Sequence, residues 1–267
     1  MPLTLSQLNI YPVKSAAGLS LSQATVEARG LQFDRRWMVA DLQGKFMTQR
    51  KFPRLALMQV AIEEDELRLE APDRPALRLP LVPAHLDHIE VEVWGDLTQA
   101  VSLGAEAQQW VSDFLQVPCQ LVYMPDTAQR PTAHGKLGED KLVSFADAYP
   151  FLLISEASLA HLNDRLEAPV PMNRFRPNLV VSGCEAHAED SWAQIRVGEI
   201  VFELPKGCDR CSIPGVDQAT GIQHKEPLKT LATYRRWDSA IWFGQNLLQQ
   251  NLGQLQVGDR IEVLARK

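Results

Sequence analysis

Short apolar segments that end in turn-forming residues recur through the first half of this chain. Apolar and polar residues alternate over Leu3–Tyr11, which predicts a strand. Further strands are predicted over 23–28 and 37–40, and hairpins over 55–70 and 89–103. Short strands at this spacing indicate a β-sandwich or barrel, which we expect over roughly the first 110 residues.

Helical patterns are few and lie mainly after this strand-rich region. Ala105–Leu115 carries an apolar face at helical spacing, and Ser155 is placed to cap a helix ending near Leu166. Leu228–Arg235 predicts a third, short helix, whereas the polar residues 126–141 predict a surface loop. Further strands are predicted over 119–124, 151–154, 179–181, 192–204 and 260–264. We therefore expect an α+β, mostly β protein with a domain boundary near residues 115–120.

Composition excludes several classes of protein. The net charge of −6 over 267 residues gives no support to a nucleic-acid or membrane-surface partner. Four cysteines are too few for a disulfide-stapled secreted fold. The first residues lack a secretion signal, and the apolar run at 151–154 is far below the ~20 residues of a spanning helix. We expect a cytoplasmic protein with reduced thiols.

The segment Lys206–Gly221 combines two cysteines with an arginine on a loop rich in glycine and proline. Cys208-x-x-Cys211 could be half of a zinc site, but the sequence has no second Cys-x-x-Cys pair. A thioredoxin-type pair should open a helix, which Pro214-Gly215 opposes. Two remaining interpretations are a pair of structural thiols in a turn and a thiolate that binds a soft metal beside Arg210.

Several basic residues fall at strand ends and turns of this acidic chain. Each one alone is most often a solvated surface charge. Together they could hold one small anion such as a phosphate, and Ser155 at a helix start would add a preformed anion site. These positions are Lys14-Ser15, Arg35-Arg36, Arg50-Lys51, Arg174-x-Arg176 and Arg210.

Motifs spread along the whole chain resemble one family. The segment from Cys208 to Gly221, followed by 225–231, resembles the signature of the MOSC domain, and Tyr11–Ser15 resembles the start of the MOSC N-terminal β-barrel domain. More narrowly, the chain is similar to the mitochondrial amidoxime-reducing component and its bacterial YcbX-like relatives. The other matching segments are Gly30-Leu31, Asp34–Trp37, Ser155–Ser158, Phe175–Asn178, Glu189–Trp192 and Gly253–Asp259.

The resemblance implies two domains and a cofactor. We expect an N-terminal β-barrel-like domain over 1–118 and a MOSC β-barrel domain with a few peripheral helices over 119–267. The implied cofactor is the molybdenum cofactor, Mo-molybdopterin, with Cys211 as metal ligand and Cys208 as its neighbour. The positions that carry over as cofactor-binding are Lys14, Ser15, Arg35, Arg176, Asn178 and Arg210, with Ser155 and Asp209 as weaker matches.

The implied activity is reduction of N-hydroxylated compounds such as hydroxylamines, amidoximes and N-hydroxylated bases. The resemblance implies catalytic roles for two residues, Cys211 and Asp217. Asp217 could orient substrate or relay protons. The sequence has no cysteine after Cys211 for an iron–sulfur cluster, so electrons would come from a separate ferredoxin- or flavin-reductase-like protein. Pro214-Gly215 departs from the family's usual residues beside the substrate.

Two other functions stay open at this point. MOSC domains are also associated with sulfur transfer or cofactor presentation, in which case Cys211 would carry a persulfide and need no metal. A structural zinc or dithiol protein is the third interpretation, and it would show as bound zinc or a disulfide between Cys208 and Cys211.

Overall fold

The structure, a computed structural model, describes residues 2–83, 87–132 and 141–267. Part of the loop predicted over 126–141 therefore lies outside the described residues. The α-helices are α1 (Gly104–Leu115), α2 (Glu156–Asn163) and α3 (Leu228–Tyr234). The strands are β1 (Thr4–Ile10), β2 (Leu19–Leu21), β3 (Gln23–Glu27), β4 (Gly30–Leu31), β5 (Trp37–Asp41), β6 (Gln59–Glu63), β7 (Glu66–Glu70), β8 (Leu77–Pro80), β9 (His88–Val93), β10 (Asp96–Ser102), β11 (Cys119–Tyr123), β12 (Phe151–Ser155), β13 (Leu179–Ser182), β14 (Trp192–Val197), β15 (Ile200–Asp209), β16 (Arg236–Trp237), β17 (Ala240–Gln249), β18 (Gly253–Gln256) and β19 (Ile261–Arg266).

One large mixed sheet organises the molecule. Its strand order is β19-β14-β15-β17-β12-β13-β1-β2, and β16 pairs with β17 outside this path. The pairing is antiparallel except between β12 and β13, where Leu153 aligns with Leu179 in parallel. The face that carries Leu5, Phe151 and Phe202 is fully buried in one apolar core, as expected where alternating side chains lie between two layers.

Three smaller sheets complete the β structure, with orders β5-β11-β10-β9, β6-β7-β8 and β18-β3-β4. A second core forms where α1 lays Val111 and Phe114 against Trp37 and the neighbouring strands. The predicted helix over 105–115 is confirmed, because its apolar face is the one that this core buries. The α+β, mostly β class is also confirmed, although the described strand pairs leave each sheet open rather than closed into a barrel.

The two halves of the chain exchange strands. β1 and β2 belong to the large sheet, because Leu5 of β1 pairs with Val181 of β13. In the opposite direction, β18 pairs with β3, and β11 pairs with β5 on the far side of residue 118. The boundary between 1–118 and 119–267 stays a prediction of family organisation, and among the described residues four strand pairs cross it: β1–β13, β3–β18, β5–β11 and β10–β11.

Two strand predictions need correction near the site. The segment at Lys206 was expected to be loop, but β15 continues through Cys208 to Asp209 because it pairs with β17. β17 was not among the predicted strands, and it contains Gly244. Gly244 has a φ of +84°, and a Cβ there would lie 2.8 Å from the Leu153 carbonyl oxygen, so glycine is required.

A further correction concerns the segment predicted as a strand from residue 55. A 3₁₀ helix occupies Pro53–Leu57 before β6 begins, because Pro53 favours the first turn of a helix. Within the described ranges, no helix has both the length and the apolar character to cross a membrane.

Candidate functional site

A cavity of ≈ 200 Å³ lies between loops of the two halves of the chain. It brings together the ends of β15 and β12, the loop after β1 and the segment before β13. Eight of the ten predicted site residues line it, namely Lys14, Ser15, Arg35, Arg176, Asn178, Asp209, Arg210 and Cys211. Ser155 and Asp217 are absent from this lining. Residues more than 190 positions apart in sequence therefore meet at one site, as the resemblance implied.

Three of the lining residues have a strained backbone. Ser15, Arg35 and Arg176 have φ values of 68°, 49° and 58°, in the left-handed region that non-glycine residues seldom adopt. Each such residue costs on the order of 1–3 kcal/mol and persists only where the surroundings enforce it. Three of them around one cavity indicate that these loops are shaped for the site rather than for stability alone.

The ring of Tyr11 contacts two of the arginines. The guanidinium carbon of Arg176 lies 4.2 Å from the ring centroid and that of Arg35 lies 4.5 Å from it. The Tyr11 hydroxyl donates to the Pro177 carbonyl at 3.1 Å, and burial raises the pKa of Tyr11 to about 12. Tyr11 therefore stays neutral and contacts both guanidinium groups through cation–π interactions.

Arg176 keeps its charge although it is buried. Its Nη1 donates to the Ala16 carbonyl at 2.6 Å, whereas its buried Nη2 finds no hydrogen-bond partner in residues 2–83, 87–132 and 141–267. Burial lowers the pKa of Arg176 to about 10, which leaves the guanidinium protonated at neutral pH. A buried guanidinium that lines the cavity and is not fully hydrogen-bonded within the described residues favours an anionic ligand there.

Asn178 and Arg35 are fixed by their own partners. Arg35 Nη1 donates to Asp34 at 2.5 Å and to the Asn178 side-chain oxygen at 3.1 Å. The same Asn178 oxygen accepts from the Leu152 amide, and its Nδ2 donates to the Asn9 carbonyl. These bonds tie β1, β12 and β13 together and orient Arg35 toward the cavity.

Sequence reasoning did not single out Asp147, which also lines the cavity. Its carboxylate accepts from Lys14, from the Trp94 indole at 3.0 Å and from Arg50 at 3.3 Å. Burial alone would raise the pKa of Asp147, but Lys14 and the other donors lower it far below its usual range. The only sequence signal was an acidic residue in a short apolar stretch before β12, which does not predict its partner.

The two cysteines of the Cys-x-x-Cys segment line the same cavity and neither is in a disulfide. Arg210 Nη1 approaches the Cys208 sulfur at 3.0 Å, and its Nη2 donates to the Phe175 carbonyl at 2.8 Å. Burial raises the pKa of the Cys208 thiol, although Arg210 acts in the opposite direction. The buried Nε of Arg210 has no hydrogen-bond partner within the described part of the chain, and the guanidinium places a second positive charge beside the thiols.

The charge of the cavity opposes that of the whole protein. Five cationic side chains and two carboxylates line it, in a chain of net charge −6. One carboxylate, Asp147, is already paired with Lys14, and the other, Asp209, is largely exposed. Such a cavity attracts a polyanion and offers it fixed donors on several sides.

Ser155 lies in a different environment from the cavity lining. It is fully buried at the N-cap of α2, where its hydroxyl accepts the Ser158 amide at 3.0 Å. The predicted N-cap is confirmed. Its neighbours are Ser158 and Glu189, so the hydroxyl is already used within the protein.

Asp217 caps its own turn rather than facing the cavity. One carboxylate oxygen accepts the amides of Ala219 and Thr220, and the other lies 3.5 Å from Arg174. Partial burial raises the pKa of Asp217, but these hydrogen bonds and Arg174 outweigh it and lower the pKa overall. The next residue, Gln218, exchanges hydrogen bonds of 3.0 Å with Gln49 and so links this turn to the N-terminal half.

The zinc interpretation gains no support from the part of the chain that the structure describes. No group of three or more His, Cys, Asp or Glu side chains is placed to hold a metal ion there. Any metal held by these residues would need most of its ligands from a cofactor, with a thiolate as the protein's contribution.

Comparison with known families agrees with this arrangement. Residues 2–118 match the model of the MOSC N-terminal beta barrel domain, and residues 140–262 match that of the MOSC domain. The two matches together span most of the chain and meet where the cavity forms.

Individual relatives match over nearly the full chain. The mitochondrial amidoxime-reducing component 1 of Mus musculus is 39% identical over 98% of this chain and 83% of its own length. The protein of the same name from Homo sapiens is 36% identical over the same shares. The mitochondrial amidoxime reducing component 2 of Rattus norvegicus is 35% identical over 97% of this chain and 82% of its own length.

Proposed function

This chain belongs to the MOSC family that includes the mitochondrial amidoxime-reducing components, and from that premise we propose that it is a molybdenum-cofactor-dependent reductase of N-hydroxylated compounds. The single observation that carries the proposal is the cavity that joins the unpaired thiol of Cys211 to the partnerless guanidinium nitrogens of Arg176 and Arg210. The proposed substrates are amidoximes, hydroxylamines and N-hydroxylated bases.

The residues of the cavity fit the cofactor that the family implies. A molybdopterin carries a phosphate and needs cationic donors, and buried nitrogens of Arg176 and Arg210 have no other partner among the described residues. A thiolate suits a soft transition metal, and Cys211 is an unpaired cysteine in the same cavity. In this proposal Arg35, Asn178 and Ser15 hold the pterin, and Cys211 ligates the metal.

The cofactor, when bound, supplies the two-electron redox chemistry, and the protein supplies position and charge. The overall reaction is R–NHOH + 2e⁻ + 2H⁺ → R–NH₂ + H₂O, so the N–O bond breaks and the oxygen leaves as water. We propose that the electrons come from a separate donor protein of the ferredoxin- or flavin-reductase type. The cytoplasmic location and the lack of a membrane partner stay predictions.

The chain's own residues set the charge around the reacting group. The Lys14–Asp147 pair keeps Asp147 ionised, so this carboxylate accepts hydrogen bonds and does not supply protons at neutral pH. Asp217 is also held as a carboxylate, by its turn and by Arg174. Its absence from the cavity lining supports a positioning role through the turn that carries Gln218.

Metal analysis of two cysteine variants tests the cofactor assignment. Protein made in a host that synthesises the cofactor should contain molybdenum. Cys211→Ser should lose nearly all of it, whereas Cys208→Ser, its matched control in the same cavity, should keep most. If Cys208→Ser strips the metal and Cys211→Ser keeps it, the proposed ligand is wrong.

Turnover tests the activity separately. Molybdenum-loaded protein with an artificial electron donor should reduce benzamidoxime to benzamidine. Full molybdenum loading without turnover of any N-hydroxylated compound would remove the reductase function and leave the cofactor site standing.

A second candidate is a sulfur carrier or a cofactor-binding module, which the two unpaired thiols in one cavity favour. In that case mass spectrometry should find one extra sulfur on Cys211 in protein that lacks molybdenum. Molybdenum at full occupancy with an unmodified Cys211 would count against this candidate.

A further inference from the structure

A tryptophan with unusual backbone geometry lies beside the cavity. Trp94 and Gly95 form the two-residue turn between β9 and β10, where Val93 pairs with Asp96. Their φ values are 57° and 90°, which is the pattern of a type I′ turn. Asn, Asp and Gly are the residues favoured at the first position of this turn. A bulky aromatic residue there is an outlier, and the folding of the hairpin does not account for it.

The indole of Trp94 is held in place by the cavity wall. Its N–H donates to Asp147 at 3.0 Å, and Asp147 lines the cavity and pairs with Lys14. The guanidinium of Arg50 covers the ring at 4.1 Å from the centroid, and Phe46 packs at 4.9 Å with a tilt of 56°. These contacts fix the ring next to the cavity instead of letting it swing freely.

Trp94 keeps substantial solvent exposure despite these contacts. Trp94 is 49% exposed, although its neighbours on the ring are already in place. An exposed tryptophan that is both strained and hydrogen-bonded to a half-exposed carboxylate of the cavity wall has the character of a binding residue, because strained positions persist where function requires them. Indole faces bind flat conjugated groups by offset stacking.

We infer that Trp94 is a specificity-determining residue that stacks against the conjugated group attached to the N–OH of the substrate. This inference rests on the proposed function and narrows its substrate class. Flat compounds, such as aryl amidoximes and N-hydroxylated nucleobases, are favoured over small aliphatic ones. Arg50 on the covered face of the indole makes the ring more favourable for π-rich ligands and keeps it oriented.

The test compares benzamidoxime with acetamidoxime, which share the reacting group and differ in the ring. Isothermal titration into molybdenum-loaded protein gives the ratio of the two dissociation constants without any need for turnover. Wild type should prefer benzamidoxime, and Trp94→Asn should reduce that preference about tenfold, the loss expected for one aromatic stack. Trp94→Phe, which retains a ring, should keep most of the preference.

Folding controls separate this role from a structural one. Asn-Gly is a favoured type I′ sequence, so Trp94→Asn should form the same turn and retain the thermal unfolding midpoint of wild type within a few degrees. Leu97→Ala removes an exposed side chain from the same hairpin (64% exposed) and should leave the preference unchanged.

The outcomes distinguish this inference from the proposed function. If wild type binds both compounds equally, binds neither, or if Trp94→Asn keeps the preference, the role of Trp94 is wrong. If the preference depends on Trp94 but neither compound is reduced, the stacking role stands and the reductase function fails.

Discussion

The cavity and a cluster at the start of α2, formed by Ser155, Ser158, His187 and Glu189, are both polar, yet the charge states of their ionisable groups differ. In the cavity, Arg176 stays protonated and Asp147 stays ionised. In the cluster, burial raises the pKa of Glu189 and lowers that of His187 to about 4, so both groups are shifted toward neutrality. Within the cluster, Ser158 bonds Ser155, Glu189 Oε1 and the His187 amide, whereas Glu189 Oε2 has no partner among the described residues.

This difference separates a binding region from a structural one. Groups that are shifted toward neutrality and largely bonded to one another stabilise the packing of α2 against β12. Buried charges without protein partners remain costly until a ligand of opposite charge arrives. Ser155 resembles a family position in sequence, but its hydrogen bonds place it in the cluster. The following three predictions test that division.

The largest effect is expected for Arg176→Gln. Losing charge-assisted hydrogen bonds worth about 1.5–3 kcal/mol should weaken cofactor retention by roughly 10- to 100-fold. Molybdenum and pterin per protein after gel filtration measure this loss. Arg196→Gln is the control, because Arg196 forms a surface ion pair with Glu262 far from the cavity lining. Full retention in Arg176→Gln would show that its free nitrogen is not a ligand-binding group.

Ser155→Ala should have a smaller effect, and on stability instead of binding. Removing the N-cap hydroxyl leaves the buried Ser158 amide without its acceptor and should lower the free energy of unfolding by about 1 kcal/mol. Urea denaturation measures the change, and molybdenum content should match wild type. If Ser155→Ala lost as much molybdenum as Arg176→Gln, Ser155 would be a cofactor-binding residue and not only part of the structural cluster.

The smallest effect is a change in acid sensitivity. Above pH ~6.5, the pKa of an unperturbed histidine, His187 is neutral in both the folded and unfolded states. Between pH ~6.5 and the folded pKa of about 4, the unfolded chain binds a proton that the folded protein does not. Stability should therefore fall as the pH decreases through this range.

His187→Asn removes this contribution, and asparagine tolerates the positive φ of 62° at this position. The variant should be less stable at pH 7, because the bond to His161 is lost, but its unfolding midpoint should fall less between pH 6.5 and 4. Because His187 is only half-buried, the difference should be about 1 kcal/mol or less. Equal slopes in the two proteins would mean that His187 titrates normally in the folded state.

Local pattern predicted much of the fold, and tertiary pairing decided the rest. β1, β5, α1 and the Ser155 cap follow from alternation, helical spacing and capping chemistry within single segments. β15 reaches Asp209 only because β17 lies beside it, and β17 itself needs glycine where its backbone passes Leu153. No local signal reports such neighbours.

The same distinction holds at the site. Motifs placed Lys14, Arg35, Arg176 and Cys211 in one set, and the structure brings them to one cavity. The partner of each charge could not be predicted, because Tyr11 reaches Arg176 and Lys14 reaches Asp147 across more than 130 positions of sequence. Whether a cation is neutralised or available is decided by those distant contacts.

The exchange of strands between the halves has a consequence for how the chain is made. Thr4 on the first strand meets Ser182 on β13, 178 residues later. A ribosome therefore releases an apolar strand long before its partner exists, and its open edge can recruit other chains in the meantime. We therefore expect correct folding to require that rapid translation or chaperones protect this strand edge until about two-thirds of the sequence has emerged.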